Sequence, residues 1–349
     1  MKKIFIPLLL VVLVCFTLTS CAFVQTSTTK VQIVTTLFPE YDMVTKIIGN
    51  NKETQNLFDV TMIVRPGQDS HTYDPSINDL IIIKNADLFI YTADEMETWV
   101  SDLDFSSKTK VVNLGKNAKI ELLKVEEDEG HIHTDDCEHE EPSHEHTHVH
   151  SYDPHYWTYP IYATYMVEQI KKAICESIED PYMTYSKVFE TNANNYILEL
   201  LQIDKNIKMI VENAKNKTMY FGSPFSFYYW SHYYDLEYVL TYSTCSTETE
   251  PPIEVLEHII NEMKKNNINA IFSKELVNKE ACETIALHTN AQILELHSGH
   301  NISITEFNNQ SISFIDIMKK NVINLSIMLQ VDESITENLR KEYENGITM

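Results

Sequence analysis

The 349-residue sequence is poor in basic residues, with 27 Lys and Arg against 51 Asp and Glu and a formal net charge of −24. Proteins that bind nucleic acid need a basic surface to neutralise the phosphates, so this balance argues against nucleic acid as a partner. The acidity suits a protein that handles cations, but many acidic proteins bind no metal. Charge alone therefore leaves the function open.

Closely spaced cysteines and catalytic metal motifs are also missing. Beyond the N-terminal segment the cysteines are Cys137, Cys175, Cys245 and Cys282, and none of them forms a Cys-x-x-Cys pair. One disulfide is compatible with an exported protein, and the spacing leaves its pairing open. No His-Glu-x-x-His or similar motif joins metal ligands to a general base, so a zinc hydrolase is disfavoured. We therefore expect no enzyme activity and assign no catalytic residue.

The N-terminal apolar run is too short to span a membrane. It covers residues 4–18, follows two lysines and precedes Leu-Thr-Ser-Cys, whereas a spanning helix needs about 20 apolar residues. This layout is typical of a secretory signal. Leu-Thr-Ser-Cys resembles a bacterial lipobox, which implies lipidation of Cys21 after cleavage; the alternative is an ordinary signal peptide cleaved elsewhere. We expect export and anchoring at the outer face of the cytoplasmic membrane.

Alternating strand and helix patterns predict an α/β fold. β-branched runs such as "VQIVTT" and "DLFIY" alternate with segments of helical periodicity in both halves of the chain, as in parallel sheets covered by helices. Between the halves, residues 180–217 read as a helix without Gly or Pro beyond its first turn. The sequence thus predicts two lobes, each with a mostly parallel sheet flanked by helices, joined by one long rigid backbone helix.

This pattern also predicts the domain boundaries. After residue 115 periodicity disappears until residue 152, and the segment after residue 331 is charged and is expected to be frayed. The predicted parts are a signal peptide and lipobox (1–21), an N-terminal lobe (31–115), a mobile loop rich in histidine and acidic residues (116–151), the remainder of the N-lobe with the linking helix (152–217), a C-terminal lobe (218–331) and a charged tail (332–349).

Four histidines follow predicted strands or precede the linking helices, where an α/β sheet binds its ligands. His71 follows "VTMIV", His155 stands in "DPHYWTYP", and His297 and His300 stand in "HSGH" after "QILEL". Neutral imidazole is a good ligand for zinc and for related divalent cations. A single histidine in a loop is weak evidence, but four in both lobes indicate a metal site.

Seven further histidines lie between residues 131 and 150, interspersed with acidic residues. The segment has no periodicity, so we expect weak metal binding at several sites. Tethering weak sites beside a tight one raises the local metal concentration. A solvated acidic linker is the alternative. Cys137 is a further candidate ligand, provided that its thiol stays reduced outside the cell.

The motifs "RPGQDSHTYDPS" and "DPHYWTYP", with the histidine-rich insert and the long helix, resemble the zinc/manganese class of solute-binding lipoproteins of bacterial ABC transporters, the ZnuA/AdcA-like group. The resemblance covers nearly all of the mature chain. It implies two lobes, one metal in the cleft, and His71 and His155 as the first two ligands.

The third family ligand is a histidine in the resembling proteins, but its position falls at Pro224 here. His232 lies about two helical turns further on. We expect the "HSGH" loop to replace the lost ligand, giving His71, His155, His297 and His300 as the set. Glu250 is the rival fourth ligand, although it can instead cap the following helix. Four neutral nitrogens favour Zn²⁺ over Mn²⁺, which prefers carboxylates.

The sequence therefore predicts a monomeric, lipid-anchored receptor that captures Zn²⁺ between its lobes and delivers it to a cognate ABC permease. The alternatives are a receptor for Mn²⁺ or another divalent metal, and a metal-binding surface adhesin or zinc buffer without transport. Because only neutral imidazole binds metal, capture is expected to weaken as the pH falls through the histidine range.

Overall fold

The computed structural model describes residues 30–125, 151–179, 184–242 and 251–346. The predicted signal peptide with Cys21, the histidine-rich segment 126–150 and Glu250 lie outside these residues, as do Cys137 and Cys245. The strands are β1 (Val31–Thr35), β2 (Phe58–Met62), β3 (Leu88–Tyr91), β4 (Lys110–Asn113), β5 (Lys124–Val125), β6 (Ser151–Tyr152), β7 (Thr218–Phe221), β8 (Glu237–Leu240), β9 (Ala270–Ser273) and β10 (Gln292–Glu295).

Two parallel four-stranded sheets form the cores of the two lobes. The N-terminal sheet has the order β2-β1-β3-β4 and the C-terminal sheet the order β10-β9-β7-β8; every neighbouring pair in both runs parallel. The interior strands β3 and β9, one in each sheet, are buried along their whole length. This burial on two faces is what makes such strands continuously apolar. The predicted fold class is confirmed.

Helices cover both sheets. They are α1 (Phe38–Ile48), α2 (Lys52–Gln55), α3 (Ile77–Lys84), α4 (Pro160–Glu176), α5 (Thr184–Glu212), α6 (Tyr228–Tyr234), α7 (Ile253–Lys265), α8 (Glu280–Thr289), α9 (Ile304–Asn309), α10 (Phe314–Met328) and α11 (Glu333–Gly346). Their starts are encoded locally. Capping boxes open α3, α9 and α10, each with a serine that bonds to an acidic residue three positions later, an arrangement that satisfies two otherwise unpaired amide groups.

The long helix α5 has 29 residues and touches both lobes. Tyr196 donates a hydrogen bond to Asp42 on α1 at 2.8 Å, and its neighbour one turn on, Leu200, is fully buried. Farther along, Asp204 accepts a hydrogen bond from Tyr234 of α6 at 2.9 Å. Polar contacts at separate turns thus attach the helix first to the N-terminal lobe and then to the C-terminal one.

Two sequence-based expectations differ from the structure, and one element was not expected. The segment "EMETWVSDL" has helical periodicity, which predicts a helix, but it forms only a 3₁₀ turn, Thr98–Asp102. The charged segment after Gln330 is not frayed but forms α11, because Leu339 and Tyr343 are buried against the C-lobe. The short antiparallel pair β5–β6 flanks the histidine-rich segment and was not predicted. The proposed domain boundaries remain predictions.

Within the described residues, no helix is both long enough and apolar enough to cross a membrane.

Candidate metal centre

The loops that carry the candidate histidines meet where the strands of the two sheets end. His71 lies on the loop after β2, His155 immediately precedes the 3₁₀ turn Tyr156–Thr158, and His297 and His300 follow β10. His155, His297 and His300 are buried, while His71 is partly exposed. His71, His297 and His300 thus lie beyond the carboxyl ends of parallel strands, where open α/β sheets bind their ligands.

Hydrogen bonds tie the His71 loop to the His300 loop. Gly67 N–H donates to the Ile302 carbonyl at 2.8 Å. The Asn301 side-chain amide donates to the carbonyls of Arg65 at 2.9 Å and Gln68 at 2.7 Å. Loops from different lobes are therefore joined directly beside the histidines.

The segment that carries His155 is joined to the same place. Trp157 Nε1–H donates to the Ser298 carbonyl at 2.8 Å. Gly299 has φ +79°, and a Cβ there would lie 2.8 Å from the ring of Phe314. Only glycine fits this turn, since it combines a left-handed conformation with a close neighbour.

Three of the four candidate rings form one cluster. The ring centroids of His71 and His155 are 5.1 Å apart, those of His71 and His300 5.6 Å, and those of His155 and His300 6.3 Å. The rings come from three separate loops and both lobes. This cluster is the best-formed candidate for binding a cation in the described part of the chain.

The His71 and His155 Nε2 atoms are 3.2 Å apart. Two nitrogens that share a tetrahedral zinc ion at about 2.0–2.1 Å are themselves about 3.3 Å apart, so this spacing fits a shared ion. Among the described residues no three histidine, cysteine or carboxylate groups are gathered closely enough to hold one ion as they stand.

A carboxylate orients His155. Asp153 Oδ1 lies 3.1 Å from His155 Nδ1 and also accepts a 2.6 Å hydrogen bond from the His155 backbone N–H. With Nδ1–H directed at the carboxylate, Nε2 is the nitrogen left for a metal. Carboxylates in this position fix the tautomer and raise the basicity of a ligand histidine.

Glu275 plays the same part for His300. Its Oε1 lies 2.9 Å from His300 Nδ1 and accepts a 2.5 Å bond from the Ser298 hydroxyl, while its Oε2 accepts from Ser298 N–H at 2.8 Å. The Ser298 hydroxyl also contacts His300 Nδ1. Nε2 of His300 is again the nitrogen left to face the other rings.

His297 is arranged differently. Its Nδ1 accepts a hydrogen bond from Gly299 N–H at 2.9 Å, and its backbone exchanges two hydrogen bonds with the Asn321 side chain. Its Nδ1 is 3.6 Å from Glu275 Oε2. In the described ranges its ring makes no contact with the rings of the cluster, so the structure brings together three of the four predicted ligands.

Burial disfavours the charged forms of two rings of the cluster, His71 and His300. Burial is the main cause that lowers the pKa of His71, with the charges of His155 and Lys274 adding to it. Burial, followed by the charge of Lys274, lowers the pKa of His300 to about 4. Burial opposes ionisation of Glu275, yet the charge of His297 and the hydrogen bond from His300 hold the pKa of its carboxyl well below the usual value.

Pro224 and His232 lie where the sequence analysis expected. Pro224 is buried in the loop after β7 and offers no donor atom to a metal. His232 is exposed on α6, and its ring contacts Tyr233. Neither residue joins the histidine cluster.

The aromatic run before and within α6 supports the metal loops. Tyr229 OH donates to the Asp153 carbonyl at 2.8 Å, and Trp230 Nε1–H donates to the Thr158 carbonyl at 2.7 Å. Both aromatic side chains are fully buried. The run therefore supports the segment on both sides of His155.

Sequence reasoning missed the polar residues around the histidines. Asp153, Glu275 and the buried Lys274 were not singled out. The signal that could have found Lys274 and Glu275 is their place directly after the apolar strand β9, which is the same criterion that selected the histidines.

Comparison with known proteins gives a consistent family. The family described as ZnuA, zinc-uptake complex component A, periplasmic, matches residues 33–327. The zinc-binding lipoprotein AdcA of Streptococcus pneumoniae is 31% identical over 325 residues, covering 92% of this chain and 60% of that protein. The zinc-binding protein AdcA of Streptococcus pyogenes is 29% identical over 304 residues, covering 86% of this chain and 56% of that protein.

Among solved structures, the Zn(II)-bound ZnuA-like domain of S. pneumoniae AdcA aligns with a TM-score of 0.66 at 24% identity, covering 86% of this chain and 99% of that domain. At this identity the alignment supports the fold alone. The chain spans about 56–60% of the length of the two AdcA proteins.

Proposed function

The chain belongs to the ZnuA family of zinc-uptake components, and from this premise we propose that it is an extracytoplasmic receptor that captures Zn²⁺ between its lobes and delivers it to an ABC permease. The family is one of solute-binding receptors, not of enzymes, and we propose that this chain has no catalytic activity of its own.

One observation carries the proposal: the Nε2 atoms of His71 and His155, from different loops, stand 3.2 Å apart and their rings adjoin that of His300. We assign these three imidazoles to the ion and His297 to the support of the loop. Asp153 and Glu275 hold the Nδ1 atoms of His155 and His300, so that each ring presents Nε2.

The ligand type favours zinc over manganese. Imidazole nitrogens suit borderline cations such as Zn²⁺, whereas Mn²⁺ prefers carboxylate and water oxygens. The carboxylate nearest the cluster, Glu275, is bonded to Ser298 and His300. Relatives in the same family are named for zinc binding, including AdcA of S. pneumoniae.

Two predictions outside the described residues complete the proposal. Lipidation at Cys21 would tether the receptor beside its permease at the outer face of the cytoplasmic membrane. The histidines between residues 131 and 150 would bind zinc weakly and raise its concentration near the tight site.

Isothermal titration of the purified chain with zinc tests this division of roles. The full chain is expected to bind one ion tightly and several weakly. Deleting residues 131–150 is expected to remove only the weak sites, while His71→Ala is expected to remove the tight one. Loss of the tight site on deletion of the segment would overturn the assignment to the cleft.

Growth in chelated medium tests transport. Disrupting the gene is expected to prevent growth at low zinc, and added zinc is expected to restore it. The His71→Ala gene should fail to complement the disruption, whereas His232→Ala, which changes an exposed histidine outside the cluster, should complement it. Growth of the disrupted strain at low zinc would favour an adhesin or a zinc buffer.

A further inference from the structure

A tight turn of the N-lobe ends three residues before His71. The Arg65 carbonyl accepts a hydrogen bond from Gln68 N–H at 3.0 Å, and the Gln68 side chain accepts from Arg65 N–H at 2.9 Å. Pro66 and Gly67 occupy the two central positions, and Gly67 has φ +82°. Proline followed by a residue of positive φ is the arrangement of a type II turn. The loop after β2 is therefore stiff at this point.

The side chain of Asn301 binds this turn from the other lobe. Its Nδ2 donates to the Arg65 carbonyl at 2.9 Å and to the Gln68 carbonyl at 2.7 Å, a pair of bonds that we call the Asn301 clasp. Its Oδ1 accepts from Ile302 N–H at 2.8 Å, and the residue is 1% exposed. Both amide hydrogens and the amide oxygen are thus in use. An aspartate carboxylate has the same shape but could donate neither bond.

Two backbone hydrogen bonds accompany the clasp. Gly67 N–H donates to the Ile302 carbonyl at 2.8 Å, and Phe38 N–H of α1 donates to the His300 carbonyl at 3.2 Å. Together the four bonds join the C-lobe loop that carries His300 to two segments of the N-lobe. Because the other two bonds run from backbone to backbone, Asn301 is the member of this group that a side-chain substitution can remove.

The clasp lies close to a metal-site histidine on each side. In the N-lobe, His71 N–H donates to Asp69 Oδ1 at 2.9 Å, a local turn of the Asx type that begins directly after Gln68. In the C-lobe, Asn301 is the residue that follows His300. The clasp therefore joins the two loops next to their histidines, whose ring centroids are 5.6 Å apart.

We propose that Asn301 is a positioning residue for metal capture, whose clasp on the Arg65–Gln68 turn keeps His71 beside His300, so that the ion is released only when the clasp opens. This rests on the proposed function and deepens it. A metal site that draws on both lobes binds tightly only while the lobes stay together, and ligands fixed in advance avoid the cost of being ordered on binding. The rate of zinc release is then set in part by two hydrogen bonds that do not touch the ion.

Stopped-flow mixing of the zinc-loaded full chain with excess chelator measures that rate. Asn301→Ala removes both donors and is expected to speed zinc release by about tenfold to 100-fold, the factor that two neutral hydrogen bonds contribute. The association rate is expected to change less, because substitutions at a binding interface act mostly on dissociation.

Asn301→Asp separates the clasp from simple electrostatics. It preserves shape but turns a carboxylate oxygen toward two carbonyl oxygens, so it should release zinc even faster than Asn301→Ala. A negative charge added beside His300 would by itself attract the cation and slow its release. The clasp and the added charge therefore predict opposite signs.

Hydrogen exchange supplies a readout that does not depend on zinc. The Gly67 amide bonds across the lobes to Ile302, so its exchange should become about tenfold faster or more in both Asn301 variants. Exchange in the buried strand β3 should stay as in the parent chain. A residue that only stabilised the fold would speed exchange in β3 as well.

Asn192→Asp is the matched control. The Asn192 side chain donates to the Ile47 carbonyl at 3.0 Å and so joins α5 to the end of α1. The variant makes the same chemical change outside the metal loops. It should lower the melting temperature without changing the rate of zinc release.

Three results would overturn the inference. They are an unchanged rate of zinc release in Asn301→Ala, slower release in Asn301→Asp, and Gly67 exchange no faster in the variants than in the parent chain. Any of them, with normal zinc binding by the parent chain, would refute the clasp alone. If the parent chain bound no zinc, the proposed function would fail, and the positioning role with it.

Discussion

His71 Nε2 and His155 Nε2 are 3.2 Å apart although the residues are 84 positions apart in the sequence. Two neutral imidazoles that face each other through Nε2 are satisfied either by one N–H···N hydrogen bond or by a cation bound to both nitrogens. The spacing fits a shared zinc ion. This relationship is the basis of the metal-site assignment.

The two histidines of "HSGH" should behave differently. His300→Ala removes a ring of the cluster and should weaken zinc binding by at least about 100-fold, more than the tenfold to 100-fold typical of residues behind the ligands. His297→Ala should change the zinc affinity by less than about tenfold and instead lower the melting temperature, because the ring supports the turn at Gly299. Competition with a zinc chelator and thermal unfolding measure the two effects. Equal losses of affinity would show that His297 is also a ligand.

Asp153→Asn and Glu275→Gln should each weaken zinc binding by about tenfold to 100-fold, because each carboxylate fixes the tautomer of a ligand histidine. Both residues are buried, so the amide variants preserve shape while removing charge. The matched control is Glu257→Gln, an exposed position on α7. An unchanged affinity in both carboxylate variants would refute the orienting role.

Zinc affinity should resist acidification. The pKa of His300 is lowered to about 4 and that of His71 is also lowered, from about 6.5 in an unfolded chain. Protons should therefore compete little with the metal for His71 and His300 at pH 6 and strongly only near or below about pH 5. The sequence alone suggested weakening through the ordinary histidine range. Calorimetry of zinc binding between about pH 8 and about pH 4.5 measures this dependence. A steep loss of zinc affinity centred on about pH 6.5 would contradict the lowered pKa values.

Glu40 gives a separate dependence of stability on pH. Burial, aided by the charge of Glu97, raises the pKa of the Glu40 carboxyl to about 8. A raised carboxyl pKa means that the folded state favours the protonated acid, so its stabilising contribution is complete below about pH 4.5 and is lost as the pH rises through about 8. Glu40→Gln cannot ionise. Its free energy of unfolding, relative to the parent chain, should therefore rise by about 1–4 kcal/mol between pH 5 and pH 8.5.

Urea unfolding at about pH 5 and about pH 8.5 measures this difference in the free energy of unfolding. Glu257→Gln, on the exposed face of α7, should show the same difference from the parent chain at each pH. If Glu40→Gln became relatively less stable at high pH, the buried carboxyl would have to be ionised in the folded protein, with a partner outside the described residues.

The sheets could be predicted because their signal is local. Buried parallel strands such as β3 and β9 are continuous apolar runs, and the alternation with helices sets the topology. The sequence did not predict the 3₁₀ turn at residues 98–102 or the helix α11, because neither is determined by local sequence alone. Whether Leu339 and Tyr343 find a core to pack against depends on tertiary contacts that a charged sequence does not reveal.

The site could be predicted only in part. Position after a strand selected His71, and position before the linking helices selected His155. Position after a strand could not separate His297 from His300, which are three residues apart around a glycine. That choice depends on where each ring lies. Nδ1 is engaged in both histidines, but the His300 ring adjoins those of His71 and His155, whereas the His297 ring contacts neither among the described residues. The same criterion applied to charged residues would have selected Lys274 and Glu275 as well.

The most direct test of the account is a crystal structure of the zinc-loaded chain, with the ion identified by anomalous scattering at the zinc edge. The account predicts one fully occupied ion with the Nε2 atoms of His71, His155 and His300 each at about 2.0–2.1 Å. A tight ion bound elsewhere, or the rings of His71 and His155 too far apart to share it, would contradict the assignment.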